Sequence, residues 1–284
     1  MIDPPLVSVV IPCYNSGKTL DRTLDSIFEQ SWSRIEIILV NDGSSDELTL
    51  QKLESIAKLT NVTVINQQNL GLSGARNTGI KNATGEFILP LDSDDWLDYR
   101  AIQIMVETAL SVNGPAVIYS DIQVEGVNSW KKQTFNNYFE QLFSNQLPYC
   151  MLIPIEIFEN IGLYDVSLRN GLEDWEFNIR LFVNKVPYLK ISEPLFHYNI
   201  NQSGMFIKDT LILYSQIIKK IRIKYAEIYK LGSLIRIWES CKHQSSNRYL
   251  LKYFIVNLLI ITLPAKTYNI LFKTLLLIVR KTKK

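Results

Sequence analysis

Three aspartates in four positions, Asp92, Asp94 and Asp95, follow an apolar run in LPLDSDDWLDY, residues 89–99. Their mutual repulsion is a burden unless something cationic sits among them. Asp92 and Asp94 stand two apart at a strand end, so both can reach one point if the chain leaves regular extension there. A hard divalent ion such as Mg²⁺ or Mn²⁺ suits carboxylate ligands, and magnesium-like ions commonly combine one or two carboxylates with water and substrate phosphates. This is the chemistry of a diphosphate site. For Asp95 alone, a turn or the cap of the following helix is an equal alternative.

Other residues of chemical interest stand at neighbouring strand ends. Tyr14 and Asn15 in PCYN (12–15) and Asp42 in NDGSSD (41–46) offer a stacking face and hydrogen-bond partners for a nucleobase and ribose. Gly71, Gly74 and Gly79 surround Arg76 at a helix start, a pattern that permits close backbone approach and puts a fixed cation near a diphosphate. Neither GxxxxGK[ST] nor GxGxxG occurs, so neither phosphate loop applies. His197 in PLFHYNINQSG is one of two histidines; such a residue is more often structural, with a third metal ligand or diphosphate contact as the sharper alternative. The acids of LEDWEF suit the first turn of a helix, where they favour the dipole.

Positioning these groups falls to an alternation of strands and helices. LVSVVIP, IEIILV, VTVIN, EFILPL and AVIYSD read as strands, with helices expected over Lys18–Gln30, Glu47–Leu59, about Ser73–Asn82 and about Tyr99–Val112. Near-continuous apolar strands between helices predict an α/β fold, a mostly parallel sheet covered on both faces. Such a sheet binds its ligand beyond the carboxyl ends of its strands, where the unusual residues collect. The spacing divides the chain into 1–205, with a ligand-binding half over 1–125 and a less regular half over 126–205, and a helical, basic and apolar region over 206–284.

With 47% hydrophobic and 20% charged residues among 284, the composition is that of a packed globular protein and excludes disorder as the leading description. Three distant cysteines, Cys13, Cys150 and Cys241, favour a reducing compartment, and no basic residue precedes the first apolar run, so a cytoplasmic protein is expected. After Glu239 there are nine basic residues and no acidic ones; the formal +2 of the whole chain less these nine leaves −7 on residues 1–239. Two apolar runs in this tail, 249–263 and 268–279, fall short of the ~20 residues that cross a bilayer. Apolar faces edged with lysines suit helices lying on an anionic leaflet, a peripheral association with the cytoplasmic face. The alternative is a helical pair packing on protein. Cations set among leucines and isoleucines on an otherwise acidic protein do not suit nucleic acid.

VSVVIPCYNSGKTLDRTLDSIFEQS, EIILVNDGSSD, NLGLSGARNTGIKNATGEFILPLDSDDW and IGLYDVSLRNGLEDWEFNIRL together resemble a family 2 glycosyltransferase of the GT-A fold, over roughly residues 6–200. The resemblance implies an inverting enzyme that moves a sugar, of hexosyl or N-acetylhexosaminyl type, from a UDP-, GDP- or dTDP-linked donor to a saccharide or lipid-linked saccharide acceptor. By the same resemblance Pro12, Tyr14, Asn15 and Asp42 line the base and ribose, and Arg76 lies near the base and phosphates. Asp92 and Asp94 are the DxD carboxylates, Asp94 the direct metal ligand, Asp92 shared between ribose and ion, and Ser93 between them on the nucleotide-sugar side. Mn²⁺ or Mg²⁺ is the implied ion. Glu173 and Asp174 match the family's ED element, whose aspartate is the usual catalytic base. Many members carry a tyrosine-arginine pair and then a serine where this chain has Tyr198, Asn199 and, later, Ser203; Lys208 is the cation on offer in place of that arginine. Assembly of surface polysaccharide, lipopolysaccharide or glycolipid is expected by analogy of fold. A non-catalytic nucleotide-sugar-binding scaffold is the alternative function. A sugar-phosphate nucleotidyltransferase is disfavoured, because residues 12–24 offer only Lys18 and Arg22 where a glycine-rich basic loop is needed.

Overall fold

The strand VSVVIPC is buried along its whole length, and its neighbours explain why it is continuously apolar: it runs between two parallel strands with helices on both faces. The structure, a computed structural model, describes residues 3–126, 129–134, 137–169, 171–200 and 211–241. In chain order the first half comprises β1 (Val7–Cys13), α1 (Leu20–Phe28), β2 (Ile35–Asp42), α2 (Glu47–Ile56), β3 (Val62–Gln67), α3 (Gly71–Lys81), β4 (Phe87–Pro90), β5 (Trp96–Leu97) and α4 (Ala101–Leu110). The second half comprises β6 (Val117–Glu125), β7 (Trp130–Lys132), α5 (Tyr138–Gln141), β8 (Ile153–Pro154), α6 (Ile155–Ile161), α7 (Glu173–Val183), β9 (Tyr188–Asn199), α8 (Leu211–Lys224) and α9 (Leu231–Cys241).

The expected parallel sheet forms in the order β3-β2-β1-β4-β8, with β8 antiparallel to β4 at the edge. One expectation is corrected. AVIYSD does not extend that sheet; it becomes part of β6 in a second, four-stranded sheet of order β5-β9-β6-β7. The physical reason is pairing length: β9, at twelve residues, offers β6 a parallel partner from Val117↔Tyr188 to Glu125↔Asn199, whereas β8 offers two residues. A single antiparallel bridge, Ile118↔Leu152, joins the sheets.

Leu20, Leu24 and Ile27 of α1 and Ala101, Ile102, Met105 and Val106 of α4 cover one face of the first sheet, with Val9, Ile11 and Leu39 beneath them. On the other face Ile80 of α3, Ile157 and Phe158 of α6 and Phe177 of α7 pack on Val10 and Ile88. Gly79 allows this approach, because a side chain there would meet Val10 Cγ1. Ile217, Ile218 and Ile221 of α8 and Leu234 of α9 pack with Phe139, Leu142, Trp175 and Ile179. The described part of the helical C-terminal region, residues 211–241, therefore packs on protein. The apolar runs 249–263 and 268–279 lie outside the described residues.

Candidate functional site

At Cys13 the chain leaves β1 through Tyr14, which is 53% exposed, and Asn15, whose φ of 52° is a left-handed conformation that asparagine tolerates better than most residues. Asn15 Oδ1 accepts from the Ser45 and Asp46 backbone N–H groups at 2.8 and 3.1 Å, so it braces the loop after β2. Asp42 is also fully used: Oδ1 accepts from Gln67 Nε2 (2.6 Å) and Leu70 N (2.8 Å), and Oδ2 from Gly71 N (2.8 Å). A carboxylate at the start of α3 satisfies two of its orphan N–H groups. Pro12 stands past Val10↔Pro90, the last β1–β4 pair, where its missing N–H costs no ladder bond on that side. These four residues share the carboxyl end of the sheet, with Tyr14 the one that presents a free face.

Beyond β4 the chain turns sharply, and Asp95 N bonds back to the Asp92 carbonyl at 3.1 Å. Ser93 is buried against the first loop, donating to Ser16 Oγ at 2.7 Å while its carbonyl accepts from Thr19 Oγ1 at 2.8 Å. Burial and the charge of Asp92 push the Asp94 carboxyl up to about 6. Two crowded carboxylates of this kind are what a divalent cation relieves, and the donor set fits one. Among the described residues no three His, Cys, Asp or Glu side chains gather as a metal cage, so the fit is that of an ion held by two carboxylates and completed by other ligands.

Asp95 is not a helix cap. It is buried, with Oδ1 accepting from Asn199 N (2.7 Å) and Oδ2 from the Tyr149 hydroxyl (2.5 Å). The same Tyr149 oxygen accepts the Asp92 backbone N–H at 3.0 Å. One phenol thus fixes both ends of the aspartate cluster. Nothing local in LPYC marks Tyr149 for this task; its role arises from a contact 57 residues away.

Arg76 carries the most informative geometry. It is 1% exposed, and its guanidinium spans two elements: Nη2 donates to Asp92 Oδ1 at 2.6 Å and Nη1 to Glu173 Oε1 at 2.5 Å. The ring of Tyr149 lies 4.8 Å from its Cζ and that of Tyr164 5.5 Å. Burial opposes the guanidinium charge, but Asp92 and Glu173 outweigh it and hold its pKa well above the ordinary value. The expected cation beside the aspartates is present, yet it is enclosed as a clamp instead of being displayed to solvent. The glycines around it serve packing: Gly71 has φ 80° with Arg169 against it, and Gly74 faces Leu70.

Glu173 and Asp174 open α7 after Leu172, which takes a left-handed φ of 63°. The acids of LEDWEF thus lie in the first turn of a helix, as their type suits. Burial pushes both carboxyls up, Arg76 draws both down, and the charge of Asp174 adds to the rise at Glu173. Asp174 Oδ1 accepts from Trp175 N at 2.8 Å and Oδ2 from Asn145 Nδ2 at 2.7 Å. The structure thus joins Asp92, Asp94, Arg76, Glu173 and Asp174 in one net-negative cluster, with Arg76 and Glu173 buried and the three aspartates half-buried.

His197 stands apart from that cluster in its described contacts. Its Nδ1 is 3.0 Å from Glu125 Oε1, and its ring stacks on Trp96, with centroids 5.3 Å apart. The guanidinium of Arg22 covers the same Trp96 at 3.1 Å. Lys208 lies outside the described residues.

The sequence profile described as Glycosyl transferase family 2 matches residues 8–165. EpsH of Bacillus subtilis (strain 168), which carries the name of a glycosyltransferase, is 32% identical over 221 residues, 72% of this chain and 63% of its own. The glycosyltransferase GlyA of Streptococcus pneumoniae serotype 4 is 28% identical over 238 residues, 82% of this chain and 32% of its own. Chondroitin synthase of Escherichia coli is 29% identical over 200 residues, 69% of this chain and 28% of its own. The chain spans less than two thirds of the length of each of these relatives. Among solved structures, S. aureus TarS residues 1–349 in complex with UDP-GlcNAc superposes with a TM-score of 0.61 at 20% identity, over 77% of this chain and 66% of that one. At that identity the likeness is one of fold. The profile match ends before Glu173, so the place of Glu173 and Asp174 in the site rests on Arg76.

Proposed function

Since this chain belongs to glycosyl transferase family 2, we propose that it transfers a sugar from a nucleotide diphosphate donor to an acceptor hydroxyl with inversion at the anomeric carbon. The observation that carries this is the Arg76 clamp: one buried guanidinium ties Asp92, on the donor side, to the start of α7, where Asp174 sits. Tyr14 supplies the stacking face for the base, on a loop braced by Asn15, with Asp42 and Ser93 holding the surrounding turns. Asp94 and Asp92 would hold Mn²⁺ or Mg²⁺, which when bound supplies positive charge to the departing diphosphate. Asp174 takes the proton of the acceptor hydroxyl as that oxygen attacks from the face opposite the leaving group. Burial, which raises its pKa, makes it a stronger base than an exposed aspartate. Arg76 keeps both acidic elements in register and takes only Oδ1 of Asp92, which leaves the other oxygen outside the clamp.

UDP is the first nucleotide to test, because TarS is described in complex with UDP and with UDP-GlcNAc; GDP and dTDP follow. The sugar transferred is proposed to be of hexosyl or N-acetylhexosaminyl type, and the acceptor a saccharide, free or lipid-linked, in polysaccharide assembly. Among the described residues no helix is long and apolar enough to cross a membrane. The tail beyond residue 241, with nine cations and no acids, is proposed to rest on an anionic leaflet at the cytoplasmic face. Removing residues 248–284 should release the protein from anionic vesicles, and unchanged partitioning would refute the association. The donor site is tested by calorimetric titration of UDP, GDP and dTDP with and without Mn²⁺. One nucleotide should bind only with the metal, and Asp94→Ala should weaken that binding by about 100-fold or more. A folded protein that binds none of the three has no donor site of this kind.

A further inference from the structure

Asp174 is held by a relay of amide side chains that does not touch the metal-side aspartates. Asn145, just after α5, donates Nδ2 to Asp174 Oδ2 at 2.7 Å. Its own Oδ1 accepts from two amides, Gln141 Nε2 and Asn178 Nδ2, each at 3.0 Å. Gln141 and Asn178 are both fully buried. An asparagine can in principle be turned by half a rotation, exchanging oxygen for nitrogen, so the direction of such a relay needs an anchor. The anchor is the backbone: Gln146 N–H, which can only donate, gives its hydrogen to Gln141 Oε1 at 2.8 Å. That contact obliges Gln141 to present its NH₂ to Asn145, which must then present oxygen to Gln141 and NH₂ to Asp174. The opposite setting would put the Asn145 oxygen against the carboxylate and its NH₂ against the NH₂ of Gln141. Asn178 lies one turn beyond Asp174 on α7, so Asn145 also bridges successive turns of the helix that carries the carboxylate.

We infer that Asn145 is a positioning residue for sugar transfer, whose side-chain NH₂, oriented by Gln141 and Asn178, aims the Asp174 carboxylate and keeps it in its proton-accepting form. The inference presupposes Asp174 as the base, as proposed above. Asn145 can only donate at that oxygen, so it favours the ionised carboxylate and leaves the other lone pairs for the acceptor proton. The charged and titratable groups around Asp174 are Arg76 of α3, Asp92 after β4, Glu173 of α7, Lys132 of β7, Tyr164 and Tyr198. Arg76 and Lys132 assist ionisation, and Asp92 and Glu173 oppose it. Asn145 adds a neutral, directional donor to this balance, which none of the charged neighbours supplies.

The test is a titration of the Asp174 carboxyl in the full chain, followed by ¹³C resonance of labelled aspartate and assigned by its loss in Asp174→Asn. In Asn145→Ala the midpoint should rise by about one pH unit, the worth of one hydrogen bond to a charged group. In Asn145→Asp, which preserves shape if the alanine variant does not fold, it should rise further because a like charge replaces the donor. In transfer assays kcat should fall about tenfold in Asn145→Ala with the donor KM unchanged. A midpoint within about 0.2 unit of the native one in either folded variant would overturn the inference, since a donor that stabilises the ionised carboxylate cannot be lost without moving its titration. Asp174→Asn with native turnover would instead overturn the assignment of the base, and the titration would still report on Asn145.

Discussion

Replacing Arg76 with methionine tests the clamp directly. The guanidinium is 1% exposed, and the side chains it pairs differ in burial, 4% exposed for Glu173 and 23% for Asp92. Asp92 can be rehydrated when its partner is lost; Glu173 cannot. Leaving one buried charge without its partner costs about 3–5 kcal/mol, which for a protein of this size lowers Tm by roughly 10 °C. The loss depends on pH in a definite direction. Glu173 is raised by burial to about 7 in the native protein even with Arg76 beside it, and removing Arg76 raises it further. A carboxyl whose folded pKa exceeds its unfolded one destabilises increasingly as pH rises toward that folded value. Native and variant proteins therefore differ least below pH 7, and above it the gap widens by up to about 1.4 kcal/mol per unit until the variant carboxyl ionises. Urea denaturation from pH 6 to 9 measures this. A loss below about 1 kcal/mol at pH 8, or a gap that stays constant across the range, refutes the clamp. Arg76→Lys should recover only part of the loss, since an ammonium cannot span both carboxylates as a planar fork does.

Tyr149→Phe leaves the Asp92 N–H without its acceptor and Asp95 Oδ2 without a donor; denaturant melts should show about 1–3 kcal/mol of lost stability. Asp174→Asn should reduce kcat by about 10²–10⁴-fold while calorimetry finds nucleotide binding unchanged. With Asp174 as the base proposed above, the acid limb of kcat should lie above the usual aspartate range, because burial raises the Asp174 pKa and the proton acceptor is lost as pH falls through that raised value. An acid limb at the ordinary aspartate value would contradict the burial of this group.

Much of the first half of the chain was legible because its signals are local. Continuous apolar strands, alternating helices and acids crowded at strand ends follow from residue type and spacing over ten or fewer positions, and β1 to β4 form where the pattern put them. The second sheet was not legible: β5 is two residues and β7 three, below any periodicity, and the partner that draws β6 away lies some seventy residues later. The same limit governed the site. Asp42, Asn15 and Arg76 were singled out by type, but a sequence does not say whether a polar side chain will meet a ligand or a backbone N–H. For Asp42 and Arg76 burial decided it, because a polar group excluded from water must find a partner nearby; the exposed Asn15 was decided by the turn it braces.

The chain's sequence by itself determined the acidic cluster, the polar residues gathered at the strand ends and the resemblance that placed it in its family, since each is written in contiguous residues. Only the tertiary structure decided that Arg76 faces inward to bind Asp92 to Glu173, that Tyr149 locks the aspartates, and that Asn145 and Gln141 aim Asp174. Most of these contacts join residues far apart in the chain and depend on how α3, α7 and the α5–β8 segment pack together. The energy of a buried charge depends on what surrounds it in space, and that is set once the core has closed.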